Sequence, residues 1–129
     1  MKVLVFGNPL VRKDSIALRM LPALRKRFPE VEFREADAAE NLESEGRDLL
    51  ILDSAEGIRG VTVLEGIERL EMSKAYSMHD FDLPITLKLM KKLGRLDSVR
   101  IIAVPHGYPL RRAVAEASAI ISTLLSGSA

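Results

Sequence analysis

The sequence predicts an α/β layer sandwich, on three observations. Short aliphatic runs (KVLVF, DLLILD, VRIIAV) closed by glycine, aspartate or proline read as buried strands. Between them lie segments whose apolar residues recur at helical spacing. The two kinds alternate along the chain, the pattern of strands joined by helical crossovers in a mostly parallel sheet.

Lys2 to Phe6, closed by Gly7, is a buried first strand. From Asp14 the residues Ile16, Met20, Leu24 and Phe28 follow a helical period, with basic residues opposite and toward the end, and Pro29 stops the helix. Val31 to Ala36 (VEFREA) alternates apolar and polar, as a half-exposed strand does. DAAENLESEG reads as a loop with a helical turn. DLLILDSAEG is the clearest strand: four consecutive aliphatics precede Asp53, and a run apolar on both faces belongs at the centre of a parallel sheet. Gly60 to Met72 holds VTVLE and IERLE around Gly66, an antiparallel edge strand or hairpin. Residues 73–81 (SKAYSMHDF) have no period and read as a loop. Asp82 caps a helix that begins Leu83-Pro84, since proline is tolerated in the first turn, and Gly94 ends it. Val99 to Val104 is a buried strand broken by Pro105-His106-Gly107. Leu110, Val114, Ala117, Ile121 and Leu124 form the inner stripe of a last helix.

A chain of 129 residues is expected to form one domain, 1–129. At that length folding buries roughly two thirds of the unfolded surface, enough for a real core. Hydrophobic content of 47% with 29% charged residues fits a globular protein and not a disordered one. Net charge is +1, with basic clusters interleaved by acids, which argues against a nucleic-acid partner. With no cysteine, disulfides, thiolate metal sites and cysteine nucleophiles are excluded. The first apolar run is too short for a signal-peptide core, and no segment reaches the roughly 20 apolar residues that span a bilayer. The expected compartment is the cytoplasm, without membrane insertion.

Ligands of open α/β sheets bind outside the carboxyl ends of the strands. Asp14, after the first strand, and Asp53, ending the LLIL strand, belong to that region, and His79 lies in the irregular loop before the Asp82 helix. Two carboxylates and an imidazole suit a borderline divalent ion such as nickel, zinc or manganese. Each residue also has a plainer role. An aspartate at a helix start is most often an N-cap, Asp-Ser-Ala-Glu-Gly is ordinary turn composition, and His79 can be a hydrogen-bonded loop residue. Asp53 is the stronger candidate, because a carboxylate among such apolar neighbours needs a partner. His106 falls at a strand's carboxyl end and is either a second imidazole or a turn histidine. GNPLVRKDS matches neither a phosphate-binding loop nor a dinucleotide fingerprint, and no nucleophile elbow is present.

The order GNPL-x3-D at the first strand–helix junction, then LLILDSAEG, then SMHDFDLPITLKLMKKLG, resembles the hydrogenase maturation proteases. These endopeptidases trim the C-terminal extension from the large-subunit precursor of nickel–iron hydrogenases. The resemblance covers nearly the whole chain. It implies a three-layer α/β/α sandwich with a mixed, mostly parallel five-stranded sheet. It also implies a metal-dependent, aspartate-type endopeptidase in which Asp14, Asp53 and His79 meet at one nickel ion supplied by the hydrogenase precursor. Three positions differ from the family pattern. Lys13 replaces a second acid, Ala17 replaces a glycine, and PHGYPLRRAVAE is compact where relatives carry a longer loop. The Lys13 substitution also suits a non-catalytic module that recognises a metallated partner in hydrogenase assembly. A further alternative is a site for a small anion at Arg12, Lys13 and the helix start, against which the acid at position 14 speaks.

Overall fold

The computed structural model describes residues 1–7, 15–36, 42–66 and 82–127. Along the chain run β1 (Lys2–Val5), α1 (Ile16–Arg27), β2 (Glu32–Glu35), a 3-10 turn (Leu42–Glu45), β3 (Asp48–Ala55), β4 (Thr62–Glu65), α2 (Asp82–Lys92), β5 (Ser98–Pro105) and α3 (Leu110–Leu125). Among the described residues the strands make one five-stranded sheet in the order β2-β1-β3-β5-β4. All neighbours pair in parallel except β4, which runs antiparallel to β5 at the edge. The expected mixed sheet, the antiparallel edge in the 60s and the central place of the LLIL strand are all present. The IERLE half of the predicted hairpin and the predicted 73–81 loop lie outside the described residues.

Strand pleating sorts the aliphatic runs into two cores. Val3, Val5, Leu50, Leu52, Ile102 and Val104 pack with Ile16, Met20 and Leu24 of α1 and with Ala113, Ala117 and Ile121 of α3. Leu4, Leu49, Ile51, Val99, Ile101 and Ala103 face the other way, against Leu87 and Met90 of α2. The result is three layers, α1 and α3, the sheet, then α2. Only Phe33 is buried in β2, as the alternation of VEFREA requires of an edge strand.

Two helix details depart from the sequence expectation. The N-cap of α1 is Ser15 and its first residue Ile16, one position later than with Asp14 as the cap. In α3 the inner face is Ala113, Val114, Ala117, Ser118 and Ile121, while Leu110 is exposed. Leu110 is the first residue of that helix and precedes the first turn that lies over the core. Pro22 sits inside α1 at an exposed position. On that face its ring is clear of the core, and the cost is confined to the backbone bond that its missing N–H cannot make.

The amino edge of the sheet is held by charge. The Glu45 carboxylate, 4% exposed, receives Lys2 Nζ at 2.6 Å and Arg34 Nη1 at 2.9 Å, joining the 3-10 turn to β1 and β2. Arg47 grips Asp97 with two bonds of 2.9 and 3.0 Å, and the Arg47 carbonyl accepts from the Asp97 and Ser98 amides, which aligns the starts of β3 and β5. Removing Glu45 leaves two partly exposed cations that water can serve. Glu45→Ala is therefore expected to lower stability by about 1–3 kcal/mol, less than for a fully buried pair, as read from urea unfolding.

Candidate functional site

The chain leaves β1 toward β2 on one side, through α1, and β3 then enters on the other side of β1. This divergence is the switch point at which open α/β sheets leave a crevice beyond their carboxyl ends. The Phe6 amide donates to the Leu52 carbonyl at 2.9 Å, so β1 leaves the sheet level with the residue before Asp53. The connection from β1 to α1 therefore starts beside Asp53.

Asp53 is 2% exposed. It does not begin a turn: β3 continues through Ser54 and Ala55, and Asp53 pairs with Ala103 of β5. Its Oδ1 accepts the Ser54 amide at 2.8 Å. Ile51 and Ala55, two residues to either side, belong to the core beneath α2, and the pleat places Asp53 on that same side. A carboxylate taken out of water persists only with hydrogen bonds or a cation to replace its hydration. A divalent ion at the crevice is one such cation, so the chemistry of Asp53 fits a metal-binding role.

Asp14 and His79 lie outside the described residues, as do Arg12 and Lys13. Asp14 directly precedes Ser15, the N-cap of α1, and His79 stands three positions before Asp82, where α2 begins. Among the described residues no group of three or more His, Cys, Asp or Glu is placed to hold a metal ion. His106, the other imidazole, extends the β3–β5 ladder by one bond, its amide donating to the Ala55 carbonyl at 3.0 Å. Its Nδ1 lies 3.5 Å from Glu56 Oε1, a pair at the sheet's carboxyl rim that the sequence reading did not name.

A second feature of the rim was also missed. Tyr108 Oη donates to Glu116 Oε2 at 2.7 Å, the Val61 amide donates to Glu116 Oε1 at 3.2 Å, and Arg112 Nε lies 3.4 Å from the same carboxylate. The Arg112 guanidinium also stacks over the Tyr108 ring, 4.9 Å from its centre. One carboxylate on α3 thus ties down the connection that follows β3. Its only sequence signal was the Arg112–Glu116 spacing of four on a helix. The Tyr108 hydrogen bond is the main cause that holds the Glu116 carboxyl below its ordinary value, and the Glu116 bond is the main cause that raises the Tyr108 phenol. The carboxylate's contribution is therefore present at neutral pH and lost as pH falls through the lowered value. The phenol's is present below its ordinary value of 10 and lost as pH rises through the raised one. In carbon-13 titration, Tyr108→Phe is expected to move the Glu116 midpoint back up toward that of an ordinary glutamate. An unmoved midpoint would mean that Tyr108 does not set it.

No family sequence model and no curated protein sequence matches the chain. Solved structures do. An endopeptidase from Escherichia coli superposes with a TM-score of 0.68 at 17% identity, covering 99% of this chain and 94% of the other. The hydrogenase maturating endopeptidase HybD from Escherichia coli gives 0.64 at 17% identity, over 98% and 94%. A hydrogenase 3 maturation protease gives 0.56 at 16% identity, over 91% and 86%. With the β2-β1-β3-β5-β4 sheet between its helical layers, the chain has the fold of the hydrogenase maturation endopeptidases.

Proposed function

We propose that this protein is an endopeptidase that removes the C-terminal extension of a nickel-loaded hydrogenase large-subunit precursor, with residues 1–129 forming one domain for that task. The observation that carries the reading is Asp53, a carboxylate buried at the carboxyl end of the central strand, at the switch point of a fold shared with such endopeptidases. Asp14 and His79 are its proposed companions. The path of the described backbone supports this. β1 leaves the sheet beside Asp53, and the seven residues 8–14 then lead to Ser15. The turn after α2 leads straight to the amino end of β5, so α2 runs against the strands with its first residue toward their carboxyl ends. His79, three residues earlier, is within roughly 11 Å of that first residue by chain reach alone.

In this reading the nickel belongs to the substrate. Asp14, Asp53 and His79 bind and orient the loaded precursor through it, and an aspartate is placed to take a proton from the attacking water. A divalent ion there supplies polarisation of the scissile carbonyl and a more acidic water. A precursor without nickel offers these side chains no anchor and stays uncut. The reaction is placed in the cytoplasm, and among the described residues no helix is long and apolar enough to cross a membrane.

The test is intact mass of nickel-loaded and nickel-free precursor after incubation with the protein. Loss of a C-terminal segment from the loaded form alone is expected. Equal trimming of both forms contradicts the metal-checked mechanism. Tight binding without trimming favours the non-catalytic recognition module that Lys13 suits.

A further inference from the structure

The outer face of α2 carries two leucines that belong to neither core. Leu87 and Met90 point into the core, but Leu89 and Leu93 are 56% and 55% exposed. Their spacing of four puts them side by side on one helix face. They are also held firmly. The Leu93 amide bonds the Leu89 carbonyl at 3.0 Å, and Gly94, at φ +69°, closes the helix with Arg95 N bonded to Met90 O at 2.8 Å and Gly94 N to Lys91 O at 3.0 Å. These are the two bonds of a Schellman cap. Beside the leucines stand Lys91 and Lys92, both exposed, and residues 83–96 contain no acid. The whole chain has only one more basic than acidic side chain, 19 against 18, so this concentration is local. Cations near a helix end are accounted for by the helix dipole. Two rigid outward leucines among them are not.

We propose that this face of α2 docks the folded body of the protein substrate, through an acidic surface with a recess for two leucines; the proposal rests on the endopeptidase reading above. The chemistry selects the occupant. A second copy of this chain meeting the face symmetrically would set its cations against their own copies. A lipid surface asks for a longer apolar stripe, usually with aromatic anchors, and residues 82–96 hold no aromatic. A pair of leucines at helical spacing is the anchor pattern of a helix side seated in a protein groove. The surrounding cations favour an acidic partner and speed its encounter. The location also fits, because α2 begins toward the rim that carries Asp53 and ends, with Leu89 and Leu93, toward the amino edge of the sheet. A body seated on α2 need extend its tail by about the helix's own length, roughly 16 Å, to reach that rim.

The test uses nickel-loaded precursor with full-length wild type, Leu89→Ser/Leu93→Ser and Lys91→Glu/Lys92→Glu. All four positions are exposed, so the variants keep the fold. Each pair is expected to raise KM about tenfold with kcat at saturation unchanged, and the lysine pair also to flatten the salt dependence of binding. Variants that match wild type in KM would overturn the docking face while leaving the endopeptidase reading intact. If wild type trims nothing, that reading fails, and calorimetry of loaded precursor decides the surface separately. Wild-type binding weakened about tenfold by the leucine pair supports it, and absent or unaltered binding overturns it. Sedimentation of wild type with phosphatidylserine vesicles, or a wild-type dimer, either one abolished by the leucine variant, would overturn it in favour of a membrane or a self-contact.

Discussion

Asp53→Asn is expected to lower the rate of precursor trimming by at least about 100-fold, a loss of roughly 2.7 kcal/mol of transition-state stabilisation. The substitution is a sharp one. Asparagine has the same shape, and its Oδ1 can still accept the Ser54 amide that now lies at 2.8 Å. What disappears is the negative charge. A neutral amide neither balances a divalent ion nor takes a proton from water. The fold should survive, with stability changed by no more than about 1–2 kcal/mol, which circular dichroism and urea unfolding can verify. Single-turnover trimming of loaded precursor reads the effect. A variant that trims as fast as wild type would strip Asp53 of its proposed role.

The other large effect is on stability. Leu52 is fully buried and directly precedes Asp53, yet its side chain points to the opposite layer, among Val5, Ile102 and the residues of α1 and α3. Leu52→Ala is expected to cost about 2–5 kcal/mol, the transfer energy of the lost atoms plus the cavity they leave. For a domain with about 5–15 kcal/mol in total that is a large share. Leu89→Ala, on the exposed face of α2, should change stability by no more than about 0.5 kcal/mol. Denaturant midpoints of the two variants compare core and surface directly. Similar midpoints would mean that the assignment of inner and outer faces is wrong.

The layers were legible because burial on both faces leaves a plain mark. β3 and β5 are aliphatic at successive positions, and only a central parallel strand tolerates that. Strand order was not legible, since it depends on pairings such as Leu4 with Ile51 that no local pattern encodes. The start of α1 was misplaced by one residue because Asp14 and Ser15 are both good capping residues and composition does not choose between them. Leu110 fits the helical period of α3 but stands at its first turn, where period and depth diverge. Of the candidate site, Asp53 was legible as an acid following an aliphatic run. Asp14 and His79 lie outside the described residues. The Tyr108–Glu116–Val61 contacts were invisible because they join the start of α3, its second turn and a connection 55 residues away from Glu116.

The central claim is that Asp14, Asp53 and His79 share one ion, and diffraction at the nickel edge from crystals soaked in nickel salt tests it most directly. The expected result is a single anomalous peak about 2 Å from a carboxylate oxygen of each aspartate and from an imidazole nitrogen of His79. A crystal in which His79 and Asp53 lie on opposite sides of the sheet, or in which nickel binds elsewhere and leaves Asp53 untouched, would contradict it.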